Sequence, residues 1–269
     1  MPAFFQITFL ILLLGAVVRG QDVAALVNSA LDTLTIPNID DVRGNIFLPL
    51  SLDGLDFNIT WESSDTSVIA SDGVVHRQAV DTNVTLIASV EHEGATSKRE
   101  LNAIVSKARD ISPFEGYVFA YFTGNTIAGE QIYFAASNGN DALHWNELNG
   151  GQPVLKSTLG TTGLRDPFLI RSPEGDTFYL IATDLSIGSG TSWGDSVRIG
   201  SRYLEVWESH DLITWSAQRH VLVSPETAGN TWAPEAYYDT DLGAYVVFWA
   251  SSLYVRTQSS AKSEIFSKS

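Results

Sequence analysis

The chain has no cysteine. Disulfide staples are excluded, even on an export route that permits them, and stability has to come from packing. Basic residues are scarce. Lys and Arg total 16 against 31 Asp and Glu, for a net charge of −15. That balance excludes a nucleic-acid surface, which needs a basic footprint, and disfavours anionic membranes and polyanionic glycans. The apolar run at residues 9–18 is too short to span a bilayer comfortably. It is followed by the small-residue site Val18-Arg19-Gly20 before Gln21, although no Lys or Arg precedes it. Residues 1–20 therefore read as a secretory signal, which predicts a secreted, extracellular protein with no membrane attachment after cleavage.

What is present suits a β protein. Of the 269 residues, 44% are hydrophobic and 11% aromatic, with seven Trp. This is enough for a real core and for ring faces that stack on sugars. The acceptor sequons Asn58-Ile59-Thr60 and Asn83-Val84-Thr85 are open to N-glycans.

After the signal, Val23, Leu26, Val27, Ala30, Leu31 and Leu34 recur at helical spacing. Asp22 is the expected N-cap, Pro37 the stop, and the helix a lid on the domain that follows. From Ile39 to Val105 short alternating segments take over. Strands are expected at residues 45–48, 57–61, 74–76, 84–90 and 101–105, separated by Asp-Gly and Glu-Gly turns. The domain reads as a small antiparallel sandwich at residues 21–107. Residues 107–113 form a polar linker.

From residue 117 the chain repeats itself. Leu164-Arg165-Asp166-Pro167-Phe168 and Trp232-Ala233-Pro234-Glu235-Ala236 each put a carboxylate beside a proline, with an apolar strand after each, at residues 177–183 and 244–250. Trp145 and Trp215, like Asp166 and Glu235, lie about 70 positions apart, a period that points to propeller blades. A third strand copy, residues 117–124, matches those at Tyr179 and Tyr245. Blades around an axis bring equivalent positions together, so Asp166 and Glu235 are expected to share one pocket. Hydrolysis of a glycosidic bond needs such a pair, a protonated acid on the leaving oxygen and a base or nucleophile across the ring. Arg165 could grip a sugar hydroxyl or hold a neighbouring carboxylate ionised, and Trp232 could wall a sugar face. The prolines are expected to fix the loops that present the motifs. His144 and His210 lie in turns with no metal-ligand spacing, and residues 186–194 read as a Gly/Ser-rich surface loop. No metal or cofactor is called for.

Two resemblances sharpen this reading. Trp61-Glu62-Ser63-Ser64-Asp65 followed by Val68-Ile69 and Gly73-Val74-Val75 resembles atrophied bacterial-type immunoglobulin-like domains of secreted glycosidases. Residues 117–124, 129–135, 165–168, 178–184, 207–215 and 232–235, in that order, resemble the five-bladed propeller of glycoside hydrolase family 43 and its relatives, the arabinan- and xylan-active enzymes. The resemblance implies an all-β chain, an immunoglobulin-like sandwich followed by about two to three of five blades at residues 113–254, with an irregular tail at 255–269. It implies inversion at the anomeric carbon. By motif Glu235 matches the general acid, and Asp166 the aspartate that tunes and orients it. The base does not carry over: Glu130 and Asp110 are both candidates. The implied substrate is arabinose- or xylose-containing plant cell-wall polysaccharide or oligosaccharide. A non-catalytic carbohydrate-binding pseudoenzyme and a cell-surface interaction protein are the alternatives. A full propeller needs about 280–320 residues at roughly 60 per blade, and about 140 are seen. The chain is therefore expected to be truncated, weakly active at best, and prone to aggregate through unpaired blade edges.

Overall fold

The computed structural model describes residues 23–52, 57–254 and the backbone of 263–264. The expected signal, the Asp22 cap and most of the tail lie outside the described residues. The chain divides into two compact units, Met1–Ala108 and Arg109–Ser269. No helix among the described residues is long and apolar enough to cross a membrane.

In the first unit, helix α1 covers residues 23–32. Its apolar face puts Val27, Ala30 and Leu31 into the core. It stops short of Pro37, where Thr33 and Leu34 donate to the carbonyls of Ala30 and Leu31 in tight turns. Strands β1 (Ile59–Ser63), β2 (Thr82–His92) and β3 (Ala95–Val105) form one antiparallel sheet in that order. On β2 the alternation is strict: Val84, Leu86, Ala88 and Val90 all point inward. Glu93 and Gly94, both at positive φ, close a two-residue hairpin whose register is His92 opposite Ala95. Two positive φ values are what a type I′ turn requires. Trp61 is buried and donates Nε1–H to the Pro49 carbonyl at 2.9 Å.

The strand expected at residues 45–48 does not form. Ile46 donates to the Gly73 carbonyl, but the Val75 N–H goes to the Asn45 side chain at 2.9 Å, and Pro49 brings no N–H to extend a ladder. Residues 74–76 likewise reduce to one bridge, Ile69 to Val75. Gly73 makes the close approach possible: at φ +89, a Cβ there would lie 2.0 Å from the Ile46 oxygen. The unit's core joins α1, these extended segments and the inner face of the sheet. Leu86, at its centre, is fully buried. Leu86→Ala is expected to destabilise this unit by about 2–5 kcal/mol, the range for a buried leucine that leaves a cavity. Urea unfolding of the intact chain measures it, and a loss under 1 kcal/mol would contradict the packing described.

The second unit is a stack of small antiparallel sheets. The first holds β4 (Val118–Tyr121), β5 (Tyr133–Asn138) and β6 (Asp141–Glu147). The second holds β7 (Leu164–Arg171), β8 (Phe178–Asp184), β9 (Tyr203–Ser209) and β10 (Arg219–Leu222). The third holds β11 (Trp232–Asp239) and β12 (Ala244–Ala250), and a short pair joins β13 (Leu253–Tyr254) to β14 (Ser263–Glu264). Separate sheets packed face to face are the layout of a partial propeller. Ile132, Phe134, Leu164, Leu180, Ala182 and Trp207 form the joint between the first two sheets. Tyr179 meets Tyr245 edge-on at 5.2 Å between the second and third. Burial, then the charge of Glu208, pushes the Tyr179 phenol far above its ordinary value.

One expectation changes here. The carboxylate–proline motifs are not loops: both lie inside strands, β7 and β11. Strand β7 stands in front of β8, and β11 in front of β12. Strand β4 has no such strand in front of it among the described residues, and packs beside β7 as β8 packs beside β11.

Candidate active site

Both motifs are β-bulges of one design. In β7, Arg165 faces Thr183 and Phe168 faces Ile181, so the partner strand has one residue fewer across the gap. In β11, Trp232 faces Ala250 and Glu235 faces Phe248, with the same misfit. Proline has no N–H to offer a ladder, and a bulge is where a strand tolerates it. The residue before each proline takes the left-handed conformation: φ is 46° at Asp166 and 48° at Ala233. This is strained backbone for a residue with a Cβ, of the kind that clusters at functional sites.

The shared bulge corrects one expectation. Asp166 and Glu235 are not equivalent blade positions. The prolines align, so Asp166 corresponds to Ala233 and Glu235 to Phe168. The two carboxylates nevertheless belong to adjacent strands, because β11 packs beside β7 and β8. One side chain ties the motifs together. Thr183, fully buried, donates its hydroxyl to Asp166 Oδ2 at 3.1 Å and accepts the Ala233 N–H at 2.8 Å. Glu235 is exposed and makes no side-chain hydrogen bond or ion pair among the described residues.

Glu130 sits just ahead of β5 and is 0% exposed. Its Oε1 accepts from Arg165 Nη1 at 2.9 Å and the Ile187 N–H at 2.8 Å. Its Oε2 accepts from Ser186 Oγ at 2.8 Å and the Gly188 N–H at 2.9 Å. Every lone pair of the carboxylate is engaged, leaving none for a water proton. The arrangement is an anchor for the 186–188 turn and for Arg165, not the open acceptor that a general base needs. Asp110 lies exposed in an irregular stretch.

Arg165 is held on three sides. Beyond the Glu130 pair, it donates to Asn125 Oδ1 at 2.8 Å. Its guanidinium lies 4.6 Å from the Phe122 ring centre and 5.1 Å from that of Trp193. Trp193 in turn meets Trp232 edge-on at 6.3 Å. Arg165 and Trp232 thus belong to one cluster with Phe122 and Trp193, and Arg165 directly precedes Asp166 in the chain. Trp193 is half exposed, on a face where an aromatic plane could receive a sugar.

Thr183, Phe122, Asn125 and Trp193 were not foreseen. Trp193 opens helix α2 (Trp193–Arg198), within the stretch read as a surface loop. The signal for that helix was present. Ser192-Trp193-Gly194-Asp195 is a capping pattern, and Ser192 Oγ accepts the Asp195 N–H at 3.0 Å. Thr183 offers no local signal, because its role depends on a strand from the next sheet.

Residues 112–268 match the glycoside hydrolase family 43-related family, described as a probable glycosyl hydrolase domain. The chain belongs to that family. Residues 24–108, ahead of the glycosyl hydrolase domain, match the atrophied bacterial Ig domain. An alpha-L-arabinofuranosidase of Bifidobacterium longum subsp. longum is 34% identical over 261 residues, covering 86% of this chain and 24% of that protein. The chain therefore spans about a quarter of the length of that curated relative. Among solved structures, the exo-beta-1,3-galactanase of Phanerochaete chrysosporium, crystallised with galactose, matches with a TM-score of 0.33 at 9% identity, over 74% of this chain and 38% of that one. The chain is thus an immunoglobulin-like unit followed by a partial propeller of the glycosyl hydrolase domain.

Proposed function

We propose that the chain acts as a secreted, inverting glycosidase on arabinofuranosyl groups of plant polysaccharide. Glu235 is the general acid and Asp166 the group that orients and tunes it. The supporting observation is the Thr183 bridge, which fastens the Asp166 carboxylate to the backbone two residues before Glu235. Glu235 then donates its proton to the leaving oxygen as the bond to the anomeric carbon breaks. A water attacks the opposite face and loses its proton to a separate carboxylate. Glu130, with its lone pairs committed, holds Arg165 for the sugar instead. Phe122, Trp193 and Trp232 supply apolar faces beside it. The arabinofuranosyl choice rests on the Bifidobacterium relative. Secretion is supported by residues 1–20 and by Asn58 and Asn83, both exposed and free to carry glycan.

The test is proton NMR of an aryl α-L-arabinofuranoside during turnover. A β-anomer as the first product is expected, and an α-anomer would sink the inverting mechanism. A second reading, carbohydrate binding without turnover, is favoured by Glu130 being engaged on both oxygens. It predicts retention on insoluble arabinan with no anomer released.

A further inference from the structure

The second sheet of the propeller gathers three ligand-bearing side chains that the proposed chemistry does not use. Asp184 ends β8, Glu205 lies on β9 and His220 on β10. Their ligand atoms all lie within 4.8 Å of one another. Asp184 is 2% exposed and Glu205 0%, while the His220 side chain is 25% exposed.

The surroundings hold these carboxylates without neutralising them. Asp184 Oδ1 accepts from the N–H and the hydroxyl of Thr161, each at 2.7 Å, and Oδ2 accepts from Ser201 Oγ at 2.6 Å. Glu205 Oε2 accepts from Gln218 Nε2 at 2.5 Å, and Oε1 meets His220 Nδ1. The His220 ring stacks on Tyr203 with centres 3.9 Å apart and planes 8° from parallel. No Lys or Arg reaches either carboxylate among the described residues. Two buried carboxylates thus share one imidazole, with no Lys or Arg as a counter-ion among the described residues. Buried charge of that kind is paired or bound to a metal.

We propose that Asp184, Glu205 and His220 form a binding site for a divalent transition ion, with zinc the best fit. The imidazole is a ligand for zinc and its transition-metal neighbours, and the two carboxylates complete a mixed nitrogen–oxygen set of three protein ligands. Calcium and magnesium call for all-oxygen shells with more ligands. The ion would replace the contact between His220 Nδ1 and Glu205 Oε1, held by the neutral imidazole and the two carboxylates. Thr161, Ser201 and Gln218 are the outer partners that aim the carboxylates. Gln218 also accepts the Thr158 N–H and donates to Ser157 Oγ, each at 2.8 Å, so the ion braces the 157–161 loop against β8, β9 and β10. The site is structural and does not depend on the glycosidase reading.

The experiment uses the intact chain, stripped with EDTA and dialysed, then titrated with ZnCl2, CoCl2 and CaCl2. Zinc is expected to bind one per chain and to raise Tm by about 5–10 °C at a hundredfold excess over Kd. Cobalt is expected to give a visible band from a low-coordinate nitrogen–oxygen site. Glu205→Gln and His220→Gln should each weaken zinc binding by about 100-fold or more, whereas His144→Ala, at the exposed Asp141–His144 pair, should leave it unchanged. No saturable zinc or cobalt binding by the wild-type chain would overturn the proposal. So would binding that survives both substitutions. An equal rise in Tm with calcium would overturn the choice of ion. If the variants do not fold, the wild-type cobalt band decides: its presence supports the site and its absence ends it.

Discussion

Glu130→Ala is expected to lower the stability of the glycosyl hydrolase unit by about 3–5 kcal/mol, the usual loss when one partner of a buried ion pair is removed. Four donors converge on this carboxylate, from Arg165, Ser186, Ile187 and Gly188. Alanine leaves a guanidinium only 12% exposed without its counter-ion, and two backbone N–H groups without an acceptor. Glu130→Gln should recover little, because its NH2 group would face donors. Removing both members of the pair in Glu130→Ala with Arg165→Met should be less damaging than the sum of the two changes, since no buried charge is then stranded. Urea unfolding of the four proteins reads the coupling. The alternative is equally measurable. If Glu130→Ala leaves stability within 1 kcal/mol and removes turnover, Glu130 is the base and not the anchor.

The sequence carries the division of labour better than the contacts. Trp61 and the alternation in β2 point to an immunoglobulin-like unit because a half-buried sheet imposes a period of two, and residues 84–90 show it plainly. Residues 45–48 mislead for the same reason. Their alternation is real, since Leu48 is buried and Phe47 exposed, but alternation does not say whether a ladder partner exists. In the propeller, the repeated prolines mark repeated bulges. The eye falls on the carboxylates instead and pairs Asp166 with Glu235, when the backbone pairs Asp166 with Ala233. The Thr183 bridge and the Asp184, Glu205 and His220 cluster are not legible at all. Each joins residues from neighbouring strands whose registers no local pattern fixes.

Glu235→Gln is expected to lower kcat/KM on a natural arabinofuranosyl linkage by about 10²–10⁴-fold, the range that general acid catalysis supplies. Glutamine preserves shape and hydrogen bonding but carries no proton to give. The loss should therefore scale with how badly the leaving oxygen needs one. A sugar hydroxyl is a poor leaving group and should show the full effect. A dinitrophenolate leaves unaided, and the same variant should stay within about 10-fold of wild type on that substrate. Asp166→Asn should behave differently. It keeps an amide oxygen that can still accept the Thr183 hydroxyl but removes the charge proposed to set the acid's protonation, so the upper limb of the kcat/KM pH profile should move rather than the leaving-group dependence. Fold disruption would depress both substrates equally, and circular dichroism would show it. An equal loss on both substrates in a folded Glu235→Gln protein would remove the acid role. The Thr183 bridge would then join Asp166 to a strand whose glutamate only contacts the sugar.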